Sequence, residues 1–229
     1  MTRGIPAPRT WTRAELGLAV VLLALAAVAW LATGGLAMAE MVPGIGFFLA
    51  LWVVMMAAMM LPVITPFTIG LQRLMHPGPT VLAALTVGYL LVWSAAGVLA
   101  YLLLQALPMD PRAGGVVLLV AGGYQFTPLK RWCLVRCRSP LALVVRYGET
   151  AAGSTPGALR VGVIHGGYCL GCCWALMAIL VAAGAMSLAW MAIIAAVIAV
   201  EKILPRGETL AYVLGGVMVV SGAALLVLA

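Results

Sequence analysis

"LGLAVVLLALAAVAWLATGGL", residues 16 to 36, is an unbroken apolar run with no charged side chain. A helix needs about 20 such residues to cross ~30 Å of hydrocarbon, and several comparable runs follow. A chain built this way satisfies its backbone polar groups within helices, because hydrocarbon offers them no other partner. The expected fold class is therefore all-α, a polytopic transmembrane helix bundle. Composition agrees, with 65% hydrophobic and 8% charged residues, against about 25% charged in soluble domains. Arg3, Arg9 and Arg13 precede the first run as in a signal peptide, but the run exceeds an h-region of about 7–15 residues. It reads as a retained first helix.

Turn chemistry divides the chain into about seven helices, predicted at 15–37, 45–67, 80–107, 113–129, 158–184, 187–203 and 208–228. The breaks are "VPGIG" at 42–46, "HPGP" at 76–79, "LPMDPRAGG" at 107–115, and Pro205 with Gly207. The 130–157 run reads as a loop, with "CRSP" and "GSTPG" as breakers. Two segments result: a tail over 1–14 and a single helical domain over 15–229 that carries the 130–157 loop. No internal repeat or low-complexity tract divides it further.

Basic residues orient the bundle. With a cytoplasmic N-terminus, one side collects Arg3, Arg9, Arg13, Arg73, Lys130, Arg131, Arg136, Arg138, Arg146, Arg160, Lys202 and Arg206, leaving Arg112 alone opposite. That asymmetry is the positive-inside pattern. It makes the tail and the 130–157 run cytoplasmic and accounts for the net charge of +7 without nucleic acid as a partner. The lipid bilayer is the expected surrounding.

Within this apolar chain, soft side chains cluster. "HGGYCLGCCW", residues 165–174, holds three thiols and an imidazole. Helical spacing places His165, Cys169, Cys173 and Met177 on one stripe, with Cys172 beside it. At 1.5 Å rise, Cys169 falls roughly 14 Å beyond Arg160, toward the middle of the bilayer. "LWVVMMAAMMLP" adds Met55 with Met59, and Met56 with Met60, as neighbouring pairs four apart. Thiolates suit Zn(II) or Cu(I), whereas thioethers suit Cu(I) far better. Cys133 and Cys137 lie in "KRWCLVRC" among four cations, which favour the thiolate form. The candidate metal ligands are thus Cys169, Cys172, Cys173, His165, Met55, Met56, Met59, Met60, Cys133 and Cys137. Two patches that converge would make a Cu(I) site, with helices 2 and 5 approaching over Gly166, Gly167 and Gly171.

Plainer roles compete. Cysteine and methionine also serve as core filler, and small residues serve as helix contacts. Glu201 and Lys202 fit charges snorkelling to headgroups, or else a carboxylate partner for Lys130 or Arg131. His76, beside Pro77, reads as exposed. No G-x-S-x-G, Walker A, H-E-x-x-H or paired-carboxylate constellation occurs, and six acidic residues leave hydrolysis little to work with.

Four stretches carry a resemblance: "LWVVMMAAMMLP", "GYQFTPLKRWCLVRCRSP", "GGYCLGCCWALM" and "EKILPRGE". They resemble, in the same order over roughly 45–228, the bacterial family of predicted metal-binding integral membrane proteins. Some members of that family are labelled copper chaperones. The resemblance implies a multi-pass protein of the bacterial inner membrane that handles copper; it assigns no ligands. The expected function is Cu(I) binding through Cys, Met and His for delivery or transport. A copper-acceptor membrane protein such as an oxidase is the expected partner, by analogy. Two other readings stay open at this level: a thiol–disulfide oxidoreductase using Cys169/Cys172 and Cys133/Cys137, and a structural subunit whose thiols only pack.

Overall fold

Apolar runs become helices wherever a start signal and a stop signal bracket them, and the computed structural model describes residues 12–37, 44–106, 110–182, 188–204 and 207–228. Among the described residues there are nine helices and no strand: α1 (Arg13–Ala37), α2 (Ile45–Met75), α3 (Pro79–Ala106), α4 (Pro111–Gln125), α5 (Pro128–Cys137), α6 (Pro140–Gly153), α7 (Thr155–Ala182), α8 (Leu188–Ile203) and α9 (Gly207–Leu228). The protein is an all-α bundle. Five helices, α1, α2, α3, α7 and α9, are long and apolar enough to cross a membrane. The first 11 residues of the predicted tail and the breaks at 107–109 and 205–206 lie outside the described residues.

Two expectations are corrected. The 130–157 run is not a loop: it folds into most of α5 and all of α6. The prolines read there as breakers, Pro140 and Pro156, stand in the first turn of α6 and of α7, where a missing N–H costs little and φ is already helical. Thr127 caps α5, its side-chain oxygen accepting from the Lys130 N–H at 3.3 Å, and Ser154 accepts from the Gly157 N–H at 3.1 Å where α7 begins. The second helix, expected over 45–67, runs on to Met75 through Pro62 and Pro66. It stops at exposed His76, whose backbone is left-handed (φ 50°) and whose N–H donates to the Gln72 carbonyl.

Small residues set which helices touch at backbone distance. Where α3 crosses α7, a Cβ on Gly88 would run into the Leu159 carbonyl, and one on Gly162 into the Leu85 carbonyl. Along α4 and α9, Gly122 faces the Gly215 carbonyl and Gly115 faces the Gly222 carbonyl, each reciprocally. Such seams let the helices approach until dispersion between backbones replaces side-chain packing. α1 pairs with α2 differently: Glu15, near the start of α1, receives two hydrogen bonds from Arg73, near the end of α2, at 2.7 and 2.8 Å. The glycines expected to bring α2 against α7 serve other neighbours. Gly166 lies against Tyr89 and Val92 of α3, Gly171 against Cys133 of α5, and Gly167 meets nothing within 4 Å. α2 reaches α7 through long side chains instead, which leaves room between them.

Candidate metal centre

α5 and α7 bring the thiols together. On α5, Lys130, Cys133, Leu134 and Cys137 are buried, spaced three, four and seven apart, one stripe of a helix. That stripe faces α7, so Cys137, at the last residue of α5, meets Cys169 and Cys172. The three Sγ atoms all lie within 4.8 Å of one another, and all three residues are buried. Sulfurs sharing one metal sit about 4 Å apart when metal–sulfur bonds are near 2.3 Å. A small rotation of one thiol closes the triangle.

Helix geometry holds the α7 thiols in place. Cys172 Sγ donates to the Cys169 carbonyl at 3.1 Å and Cys173 Sγ to the same carbonyl at 2.9 Å. Cys169 is the most contacted of the set. Its sulfur lies 3.0 Å from the Tyr89 hydroxyl, 3.9 Å from Met60 Sδ and 3.1 Å from Lys202 Nζ. One turn back along α7, His165 stacks on Phe67 of α2 at 5.0 Å between ring centroids and tilts against Tyr89 at 5.5 Å. It is 2% exposed, and neither ring nitrogen has a hydrogen-bond partner.

Of the ten residues singled out in the sequence, the structure draws three into one thiol group and leaves the others around it. Met60 touches that group through Cys169. Met59 lines a cavity of about 540 Å³ together with Cys137 and His165. Met55 and Met56 are buried further along α2, and Cys173 is buried beside Cys169. Cys133 stands apart from the group, with its sulfur pressed against the backbone of Gly171.

The cations around the α5 pair act otherwise than expected. Lys130 pairs with Glu201 at 2.8 Å, both side chains 2% exposed. Arg131 pairs with Glu208 at 3.0 Å, Arg136 lies over the Trp132 ring at 3.6 Å, and Arg138 donates to the Leu204 carbonyl. Burial therefore pushes the Cys133 thiol above its ordinary value, with Arg136 alone pulling the other way.

Two residues of α8 complete the surroundings of the thiols, and of the roles open to Glu201 in the sequence the partner of Lys130 is the one found. Glu201 is the partner of Lys130, not a headgroup anchor, and Lys202 points inward to Cys169. The signal available was their adjacency to "ILPRGE" at a helix end; which way each side chain turned depended on α5 and α7 packing alongside.

A buried thiol group with a thioether and an ammonium beside it can hold a soft cation. Three thiolates around Cu(I) carry a net charge of −2, which Lys202 offsets by one. Two thiolates with neutral Met60 leave a balanced site, and balance is what a poorly solvated location demands. No curated protein and no solved structure matches the chain. Residues 49–225 match a family described as copper chaperone; the chain belongs to that copper chaperone family.

Proposed function

We propose that the protein is an integral membrane Cu(I) carrier that holds its cargo between Cys137, Cys169 and Cys172, with Met60 as a thioether contact, and hands it to a membrane acceptor. One observation carries the reading: three buried sulfurs from two helices converge within 4.8 Å. The thioether 3.9 Å from Cys169 favours Cu(I) over Zn(II). The five long apolar helices and the basic asymmetry support a multi-pass topology in the bacterial inner membrane, with the N-terminus and the α5–α6 segment cytoplasmic. Met55, Met56, Met59, Cys173 and His165 then serve as the surrounding soft shell, while Cys133 packs outside it against Gly171.

Anaerobic, reduced protein should bind one Cu(I), and Cys137→Ser or Cys169→Ser should abolish that binding in a competition titration. Retention of full affinity by both variants would sink the assignment. A thiol–disulfide reading draws on the same distances, since Cys137 lies near enough to Cys172 to pair after a modest shift. Thiol trapping in native membranes separates the two, because a redox relay must show a reversible disulfide involving Cys169 or Cys172.

A further inference from the structure

The cavity beside the thiols has an unusual lining. It measures about 540 Å³, within the ~300–1,000 Å³ range of small-molecule sites. Along α2 it extends from Ala58 to Phe67, roughly 14 Å at helical rise. Its walls are aliphatic, proline and aromatic side chains, and among the described residues its polar groups are of two kinds. Soft donors come from Met59, Cys137 and His165; positive charge comes from Arg138 and Lys202; among the described residues no carboxylate lines it. His165 faces it with both ring nitrogens unpartnered. Of the three thiols in the metal group, Cys137 is the one in the cavity wall, so Cys169 and Cys172 are reached behind it.

Cu(I) in a reducing compartment travels bound to thiolates, because soft ligands outcompete water for it. It therefore enters a protein site by exchange of ligands, which needs room for the departing donor beside the acceptor sulfurs. We infer that this cavity is a docking chamber for a small anionic Cu(I)–thiolate complex, with Cys137 as the first accepting sulfur. The inference rests on the copper reading of the thiol group and names the form in which the cargo arrives. A bis-thiolate complex carries −1 at the metal, which Lys202 and Arg138 attract. Cys137 replaces one thiolate, its proton leaving on the released thiol; Cys169 or Cys172 replaces the second in the same way. The sum is Cu(SR)2⁻ plus two protein thiols giving the protein dithiolate complex plus two free thiols. Copper stays Cu(I), and no oxidant is consumed.

The test uses two donors with one core and opposite arms: Cu(I) bis-complexes of 2-mercaptoethanesulfonate, negative, and of cysteamine, positive. Loading of the reduced full-length protein is followed anaerobically by rapid desalting and metal analysis. The anionic donor should load at least about tenfold faster, the scale of electrostatic focusing in a charged cleft. Arg138→Gln should shrink that advantage severalfold. Ala199→Leu, which fills the cavity without touching a ligand, should slow loading from the anionic donor while leaving the final copper content unchanged. Ala196→Leu is the second filling variant should the first fail to fold. Equal rates for the two donors in the wild-type protein, or a filled cavity that loads at the wild-type rate, would overturn the docking chamber and leave the thiol site standing. If neither donor loads the wild-type protein, the thiol site itself fails, and the chamber with it.

Discussion

α7 has two working faces, and they differ in kind. The face toward α3 is built on Gly162 and Gly166, where α7 lies close against the α3 backbone, and its one polar side-chain contact among the described residues is the Tyr89 hydroxyl at Cys169. The face toward α5, α2 and α8 carries Cys169 and Cys172, with side chains reaching in from Cys137, Met60 and Lys202. The first face fixes where the helix stands; the second has space and adjustable side chains. A site that must take up and release an ion gains from that separation, since thiols can rotate while the helix they ride on does not move.

The comparison can be broken first at the rigid face. Gly162→Leu places a side chain against the Leu85 carbonyl, which cannot rotate away, so the cost should exceed the usual ~1–3 kcal/mol of overpacking. Folded yield and copper binding should vanish together; normal thermal stability in detergent would show that the seam yields. Next comes the brace behind the site. Glu201→Gln leaves Lys130 buried and unpaired, at a cost of about 3–5 kcal/mol. The double variant Lys130→Met/Glu201→Leu should recover most of it by thermal melting, and no recovery would mean the pair is not the cause.

On the adjustable face the effects should separate from folding. Cys172→Ser removes one sulfur from the group of three. It should weaken Cu(I) by about 100-fold or more, at least the loss seen for outer-shell changes at metal sites. The melting temperature should hardly move, and a matched loss of stability would merge the two faces. Smallest of all is Cys133→Ala. Packed on Gly171 outside the group, that thiol should cost about 1 kcal/mol of stability or less and leave Cu(I) affinity within a few-fold; a loss as large as that of Cys172→Ser would bring Cys133 into the site.

Hydropathy made the long helices legible because each hydrophobic run had to be satisfied by itself. α5 and α6 were hidden because their prolines and charges look like loop chemistry. Thr127–Pro128 and Ser139–Pro140 are equally helix starts, and the 130, 133, 134, 137 stripe was there to be counted. A structureless stretch of that length inside a bundle also ran against ordinary loop lengths. For the site, periodicity grouped His165, Cys169, Cys173 and Met177 correctly as neighbours on one helix. It could not say that Cys172 rather than Cys173 would meet Cys137, because that choice belongs to the angle at which α5 arrives. Lys202 illustrates the same limit: a charged side chain at a helix end has a direction only once its neighbours are in place.

The shortness of α4 has its own consequence. Its 15 residues span about 22 Å, less than the ~30 Å of hydrocarbon that its partner α9, with 22 residues, can cross. In a bilayer this mismatch is relieved by thinning the lipid or drawing headgroups inward around the shorter element. The chain turns at Phe126–Thr127 directly into α5, the helix that ends at Cys137. Under the topology proposed above, such thinning beside α4 would shorten the path through lipid of an ion arriving from the cytoplasm.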